Sequence, residues 1–301
     1  EAMWPEVLRI ELFGAERVLS SFGLFVAAGF LVGVWMATKL ASRYGEVPER
    51  DRLAVPDIAW WCLIGVMAGG RLAYIIVNLP YFIDNPIKVF AIWEGGMVMY
   101  GGFILAATLG AWKAHKMGLK VSAALDWGLT GSFLGQAVGR IGCLMVGDDY
   151  GRPTDVAWAL KVPDPLPQGS LFPEEFVGQL LHPTQPYMQL KALSLFLLGV
   201  WLLRHKRFHG QVACVLVGGY AILRFIVEHF RGDGLARGGM FQQGFGPAEV
   251  HSGLIGVHDV QLILSSSQMV SMAMLPLAVI FYIRLSRHRL DQSPTDVSGR
   301  S

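Results

Sequence analysis

One short segment of the chain, residues 139–152, holds the residue types that an anion-binding site requires. It places Arg140 near the end of a long apolar run, and Asp148 and Asp149 in the glycine-bearing turn that follows. An arginine within a membrane-spanning pattern costs roughly 2.5 kcal/mol or more at the bilayer centre, and such residues are usually functional. This segment is therefore the first candidate for a functional site.

Other polar residues stand at the ends of different apolar segments, on what the pattern predicts to be the same side of the membrane. Arg224, Glu228 and Arg231 follow one another at spacings of four and three, so they should share one helix face. Such a cluster is either an ion-paired structural network or a site for a charged headgroup, and several arginines amid glycines favour anion binding. The full set is Arg71, Glu94, Tyr100, Arg140, Asp148, His182, Arg224, Glu228 and Arg231.

Long apolar segments must position these residues. Hydrophobic residues make up 53% of the chain and charged residues only 16%, against roughly a quarter charged in globular domains. Several stretches are long enough to cross a bilayer core of about 30 Å, which predicts an all-α polytopic membrane protein. The second span should be broken at Gly69-Gly70-Arg71. We expect about seven transmembrane helices, near residues 19–41, 55–77, 97–114, 121–145, 182–204, 211–230 and 260–283.

The distribution of basic residues predicts the orientation of these spans. Lysines and arginines cluster after the first, third, fifth and seventh segments. Because positively charged loops stay in the cytoplasm, we expect the N-terminus outside and the C-terminus in the cytoplasm. Residues 1–18 are predicted to form an interfacial helix and residues 78–92 a loop. Residues 146–183 are predicted to form a small extracytoplasmic head of short strands and turns, inserted between the fourth and fifth spans.

Charge and cysteine usage exclude several functional classes. The formal net charge of +2 is too small to indicate a nucleic-acid partner. The three cysteines lie in apolar segments with neither a CxxC pair nor metal-ligand spacing, so we expect no metal and no cofactor. A small-solute transporter would show internal repeats or paired broken helices, and the sequence has no convincing repeat.

The ordered series of motifs resembles the prolipoprotein diacylglyceryl transferase family, the bacterial inner-membrane enzymes that begin lipoprotein maturation. The resemblance covers nearly the whole chain and implies one transferase-like membrane domain over residues 1–301 in the bacterial cytoplasmic (inner) membrane. The motifs that carry it are Ser21–Phe25, Gly69–Tyr74, Trp93–Met97, Tyr100–Gly102, Gly139–Gly142, Asp148–Gly151, His182–Gln185 with Tyr187, and Arg224–Glu228 with Arg231 and Gln268.

The resemblance also implies a reaction and roles for site residues. The donor would be phosphatidylglycerol or another anionic phospholipid, and the acceptor the cysteine of a lipobox-containing exported prolipoprotein. Its thiol attacks the glyceryl carbon that bears the phosphate ester, and glycerol phosphate leaves. Arg140 and Arg224 would bind the phosphate, Glu228 would hold one of them, Arg71 would support the headgroup and Gly151 would keep the turn open. Glu94, Asp148 and Arg231 are the further substrate-binding candidates.

Four positions depart from the family's pattern, namely Phe22 for a tyrosine, Tyr100 for a histidine, Cys143 for an asparagine and Asp148 for a glutamate. Tyr100 and Cys143 complete the set of catalytic candidates. A tyrosine hydroxyl, with an ordinary pKa of about 10, is a poor base at neutral pH, so Tyr100 suits a headgroup donor better. Cys143 is either a covalent nucleophile or a small residue filling the asparagine's space. The alternative function is a catalytically weakened paralog that binds anionic phospholipid or lipoprotein without turnover.

Overall fold

A computed structural model describes residues 3–12, 15–91, 95–232 and 264–287. Glu94 and the glycine-rich loop predicted after Gly232 fall outside these ranges. The helices are α1 (Ser21–Tyr44), α2 (Pro48–Val77), α3 (Leu79–Asp84), α4 (Met99–Lys116), α5 (Val121–Val146), α6 (Thr184–His205), α7 (Gln211–Glu228) and α8 (Ser266–Leu285). The strands are β1 (Glu6–Leu12), β2 (Ala15–Ser20), β3 (Leu160–Lys161) and β4 (Leu180–Leu181). The prediction of an all-α polytopic membrane protein is confirmed.

Six helices of the described ranges are long and apolar enough to cross a membrane: α1, α2, α5, α6, α7 and α8. The predicted third span corresponds to α4, which has 18 residues and carries Lys113, His115 and Lys116 in its last turn. At 1.5 Å per residue, α4 is about 27 Å long, close to the hydrocarbon thickness of about 30 Å. Its length therefore suits a seventh span, although its basic last turn makes it less apolar than the other six.

The chain forms two compact units, one of residues 34–128 and one of residues 1–33 with 129–301. In the first unit, α2 runs without interruption from Pro48 to Val77, so the predicted break at Gly69-Gly70-Arg71 is wrong. A Cβ on Gly69 would overlap the carbonyl oxygen of Gly101 on α4. The glycine is needed for close helix–helix approach, as small residues commonly are in membrane helices, and it does not interrupt the hydrogen bonding of α2.

The predicted loop at residues 78–92 is also partly helical. It contains α3 and a single 3₁₀ helix, Pro86–Phe90, and each begins with a proline at one of its first two positions. Proline suits those positions because their N–H groups have no partner within the helix. The side-chain amides of Asn78 and Asn85 each donate to a carbonyl four residues earlier, which helps to define the ends of the helices that precede them.

The second unit is held together by the packing of α7 on both α6 and α8, and by a close approach of α1 and α5. A Cβ on Gly29 of α1 would lie 2.5 Å from the carbonyl oxygen of Gly135 on α5. This contact brings the backbones of the two helices together in the C-terminal half of α5. The side chains of the next turns of α5, including Arg140, project from a helix whose position is thereby fixed.

The predicted interfacial helix at residues 1–18 is wrong, because the segment forms an antiparallel hairpin of β1 and β2. Glu6 pairs with Ser20 and Leu12 with Ala15. Pairing of the two strands satisfies the main-chain groups of each strand that face its partner. The main chain leads directly into α1, where the Ser21 N–H donates to the Pro5 carbonyl over 2.9 Å.

Residues 146–183 contain short elements only, the two-residue strands β3 and β4 and a 3₁₀ turn at Glu174–Phe176. Strands β3 and β4 pair in antiparallel fashion. A small core of Val162, Phe172 and Leu181 is almost completely buried and packs against Tyr150 and Phe176. Through Tyr150, this core contacts the turn that carries the candidate site.

Candidate functional site

The turn after α5 is shaped by two residues with left-handed backbone conformation, Gly147 (φ 78°) and Asp149 (φ 59°). Aspartate is one of the few non-glycine residues that adopt this conformation readily. Two side chains from the start of α6 hold the turn: the Thr184 hydroxyl donates to the Asp149 carbonyl, and the Gln185 amide donates to the Asp148 carbonyl over 2.8 Å. The turn is therefore fixed against α6 by hydrogen bonds to its own main chain.

The carboxylate of Asp149 lies between two arginines from different parts of the chain. One oxygen pairs with Nη1 of Arg140 on α5, and the other accepts a hydrogen bond of 2.6 Å from Nη2 of Arg231. Asp149 and Arg231 are both buried. Charge-assisted pairs of this kind are the stronger hydrogen bonds in proteins, so Asp149 fixes the position of both guanidinium groups.

A second carboxylate extends this network along α7. Nη2 of Arg224 lies 3.0 Å from the Glu228 carboxylate and donates to the Ser267 hydroxyl over 2.9 Å. Nε of Arg231 lies 3.9 Å from the same Glu228 oxygen. The predicted shared face of Arg224 and Glu228 is confirmed, and Arg231 reaches the same carboxylate although it follows the end of α7. We call Arg140, Asp149, Arg224, Glu228 and Arg231 the arginine network.

The arginine network holds three cations and two carboxylates, so these five residues carry a net positive charge. Arg140 is the most exposed of the three arginines, with 19% of its side chain accessible, against 6% for Arg224 and 1% for Arg231. Its Nη1 is used by Asp149 and Cys143. Its Nε and Nη2 donors have no hydrogen-bond partner among the residues that the structure describes. Because these two donors are accessible and a guanidinium group can donate two parallel hydrogen bonds to a phosphate, this half of Arg140 suits an anionic ligand.

Gly151 continues the same turn and lies against α6. It forms an antiparallel bridge with Arg231, and a Cβ at this position would overlap the carbonyl oxygen of His182. A side chain there would separate the turn from both neighbours. The close approach therefore requires glycine, and it helps to place the Arg231 side chain beside Asp149.

His182 lies just before α6 and is buried. Its Nδ1 is 3.4 Å from the Tyr187 hydroxyl, and its ring packs edge-on against Phe230. Burial, and then the positive charge of Arg152, lower the pKa of His182 below its ordinary value. His182 is therefore neutral at pH 7, which suits a hydrogen-bonding residue within a packed aromatic group.

Cys143 is buried, and its sulfur accepts a hydrogen bond of 3.7 Å from Nη1 of Arg140. The ligand atoms of Cys143, Asp148 and Asp149 lie within 4.8 Å of one another, a spacing that a metal ion could use. Asp149 is already paired with two guanidinium groups, which repel a cation. Asp148 is half-buried and accepts the Asp149 N–H over 2.8 Å. The arrangement favours an anion over a metal. A nucleophilic role for Cys143 stays a prediction.

Arg71 and Tyr100 belong to the first unit. The guanidinium of Arg71 donates to main-chain carbonyls of Lys88, Val89, Gly95 and Gly96, so it orders the segment that follows α3. Tyr100 lies half-buried in the first turn of α4. Their predicted roles toward a headgroup stay predictions, as does that of Glu94, which is outside the described residues.

The remaining departure, Phe22, lies in the first turn of α1 in the second unit. Its side chain is 39% exposed. A Cβ on Gly142 would lie 3.1 Å from the Phe22 Cα, so the α1 backbone passes close to α5 at this level.

Sequence reasoning noted Asp149 but did not select it as a site residue, and it did not name Lys191. Asp149, next to the selected Asp148, is the carboxylate that pairs with the arginines. Lys191 of α6 is 5% exposed. A lysine at the eighth position of an apolar span was a visible signal, since a charge within such a segment is rare.

Comparisons with known proteins point to one family. The sequence model of the family described as prolipoprotein diacylglyceryl transferase matches residues 11–284. A phosphatidylglycerol–prolipoprotein diacylglyceryl transferase of Vibrio parahaemolyticus is 30% identical over 283 residues, 93% of this chain and 91% of the relative. Proteins of the same name from Vibrio vulnificus and Aliivibrio fischeri are each 34% identical over 70% of this chain, covering 73% and 72% of their own lengths.

Proposed function

The chain belongs to the prolipoprotein diacylglyceryl transferase family, and from that premise we propose the reaction that it catalyses. The protein transfers a diacylglyceryl group from phosphatidylglycerol to the lipobox cysteine of an exported prolipoprotein. Its relatives carry names that state phosphatidylglycerol and prolipoprotein as substrates. The activity is thus that of a membrane transferase acting on one lipid and one peptide.

The reaction places specific demands on the site. A carbon–sulfur bond forms between the acceptor cysteine and the glyceryl carbon, and the bond from that carbon to the phosphate oxygen breaks. The phosphate oxygen takes the electron pair, and the thiol proton passes to the leaving glycerol phosphate or to solvent. Because thiolate is the stronger nucleophile and negative charge grows on the leaving phosphate, the site must supply cations where that charge develops.

The observation that carries the proposal is the unpartnered half of Arg140 within an otherwise paired network. Asp149 fixes one side of its guanidinium, so the Nε and Nη2 donors are held in place for a phosphate oxygen. Fixed donors need no reorganisation as charge develops, which is what makes such groups effective in catalysis. Arg224, held by Glu228 and Ser267, supplies the second cation for the phosphate.

The remaining roles follow from the family's motifs and from the predicted orientation of the spans. We place the protein in the bacterial cytoplasmic (inner) membrane with its N-terminus outside, so that the ends of α5 and α7 lie near the outer leaflet. Phosphatidylglycerol reaches the arginine network from the bilayer. The head at residues 146–183 helps to receive the exported peptide. From the family's motifs, Tyr100 is proposed as a headgroup hydrogen-bond donor and Arg71 as a residue that supports the headgroup.

The test is a transfer assay with purified protein, phosphatidylglycerol and a synthetic lipobox peptide, read by mass spectrometry. We expect the peptide to gain the mass of one diacylglyceryl group. Arg140→Ala should abolish product, whereas Arg204→Ala, an exposed arginine in the last turn of α6, should leave the rate unchanged. Absence of product under conditions in which the Vibrio parahaemolyticus enzyme is active would overturn the proposal.

A second variant addresses the departures from the family's pattern. The double substitution Tyr100→His with Cys143→Asn restores the residue types that the family has at these positions. If both proteins give product, the natural residues support turnover. Product from the double variant alone would show that the scaffold is competent and that this member binds its lipid without the usual reaction.

A further inference from the structure

Lys191 is a buried cationic side chain that the proposed reaction does not use. It lies on α6 with 5% exposure, and its Nζ has no hydrogen-bond partner among the described residues. Nζ lies over the face of the Tyr220 ring, 4.2 Å from the ring centre. An ammonium group has three donors and no acceptor, so all three donors remain available.

Two neighbouring contacts place this amine beside the arginine network. Met188 is three residues before Lys191 on the same face of α6, and its sulfur lies 3.7 Å from Arg224 and 3.9 Å from Arg231. Tyr220 is four residues before Arg224 on the same face of α7. Helix α6 therefore carries the amine and, one turn away, contacts two arginines of the network through Met188. Helix α7 contacts the amine through Tyr220 and carries Arg224 one turn away.

The depth of Lys191 along its helix also matches that of Arg140. Arg140 is six residues from the end of α5, and Lys191 is seven residues from the start of α6. At 1.5 Å per residue, Arg140 is about 9 Å from the end of α5 and Lys191 about 10.5 Å from the start of α6. Both of these helix ends adjoin the turn that carries Asp149. The two cations thus lie at closely similar distances from the same turn.

A structural role does not account for this amine. A charge within an apolar span is usually retained when it is paired or functional, and the contact with the Tyr220 ring leaves Nζ of Lys191 without a hydrogen-bond acceptor among the described residues. Leaving buried donors unpaired costs free energy, more so for a charged group. The residue would therefore be better replaced by methionine if the folded state were its only purpose.

We propose that Lys191 is a further binding residue of this site, donating from Nζ to a phosphate oxygen of the anionic substrate. The inference rests on the proposed function only for the identity of that substrate. A lysine supplies a point charge with rotatable donors, complementing the planar forks of Arg140 and Arg224. The ligand is a phosphate ester, either the phospholipid itself or the soluble glycerol phosphate that leaves.

The test compares Lys191→Met with the wild-type protein and with Lys113→Met, a matched change at a half-buried lysine that pairs with Asp57 in the first unit. Binding of phosphatidylglycerol is measured in nanodiscs, and binding of soluble glycerol phosphate in detergent. Loss of one charge-assisted hydrogen bond should weaken both by about tenfold or more. Lys113→Met should change neither, and the Tm of Lys191→Met should not fall below that of the wild type.

Each outcome decides the inference independently of the transfer reaction, because binding is measured without turnover. Weakened glycerol phosphate binding supports the inference even if the wild-type protein forms no thioether. Weakened lipid binding with unchanged glycerol phosphate binding would overturn it, since the amine would then contact the acyl esters. Unchanged binding of both ligands, or a lower Tm that Lys191→Arg restores without restoring binding, would also overturn it.

Discussion

Asp149 is the most informative carboxylate to alter, because it is buried and pairs with two guanidinium groups at once. Asp149→Asn keeps the size of the side chain. Asparagine also tolerates the left-handed conformation at this position, where φ is 59°. The substitution therefore removes one negative charge while the main chain of the turn can stay as it is.

The expected loss of stability follows from the exposure of the two partners. Removing one member of a buried ion pair costs about 3–5 kcal/mol, because the remaining charge is left uncompensated. The Arg231 side chain is 1% exposed and must bear this cost, whereas that of Arg140 is 19% exposed and can turn toward solvent. We therefore expect about 3 kcal/mol, which corresponds to a Tm lower by roughly 6–12 °C.

The assay is thermal unfolding of purified protein in detergent, followed by intrinsic tryptophan fluorescence, with Asp148→Asn as the matched control. The Asp148 carboxylate is half-buried and accepts the Asp149 main-chain N–H over 2.8 Å. A neutral amide oxygen can accept the same bond, so the Tm of Asp148→Asn should change by about 2 °C or less. Retained phosphatidylglycerol should fall in Asp149→Asn, because Arg140 loses its anchor.

The reasoning is refuted if Asp149→Asn does not lower the Tm more than Asp148→Asn does. Equal Tm values for Asp148→Asn and Asp149→Asn would mean that the ion pairs of Asp149 contribute no net stability. A larger loss in Asp148→Asn would mean that the carboxylate selected from the sequence is the structural one.

Three further results are expected. Gly151→Ala should lower the Tm and the transfer rate, because the new methyl group would overlap the His182 carbonyl. The control Gly128→Ala, with open space at its Cβ, should leave the Tm unchanged or raise it. Equal effects of the two substitutions would contradict this prediction. Burial and then the charge of Arg152 lower the folded-state pKa of His182. His182 should therefore stabilise the fold above its unfolded pKa of about 6.5 and lose that contribution as pH falls. The Tm measured from pH 7.5 to 5 should accordingly fall less in His182→Gln than in the wild-type protein. Arg71→Lys should lower the Tm, because the three donors of a lysine share one nitrogen and cannot reach the separate carbonyl groups that the guanidinium contacts. An unchanged Tm would show that the segment after α3 is held by other contacts.

The positions of the spans could be predicted from the sequence because hydropathy and basic clusters report them directly. The pairing of Arg224 with Glu228 could be predicted too, since a spacing of four residues places both on one helix face. Gly69 shows the limit of such reasoning. A glycine pair reads as a helix break by local propensity, but the close contact with α4 decides the matter, and that contact is not local in the sequence.

The identity of the pairing carboxylate could not be predicted from the sequence. Asp148 and Asp149 are adjacent in a turn, and which one points to the arginines depends on the φ of 59° at Asp149 and on hydrogen bonds from Thr184 and Gln185. The hairpin at residues 6–20 was missed for a related reason. Its stability comes from main-chain pairing between its two halves, whereas the mixed polar and apolar composition also suited an amphipathic helix.

An ion-paired network and an anion-binding site, which were alternatives for the sequence, are compatible in this arrangement. Asp149 and Glu228 neutralise two of three arginine charges and hold the guanidinium groups in fixed positions. The network keeps one positive charge in excess, and the Nε and Nη2 donors of Arg140 have no hydrogen-bond partner among the residues that the structure describes. In the proposed reaction, a phosphate ester would meet donors already oriented for it, and the attraction would grow as the carbon–oxygen bond breaks and charge accumulates on the leaving group. The carboxylates offset part of the positive charge, and they fix the geometry on which transition-state stabilisation depends.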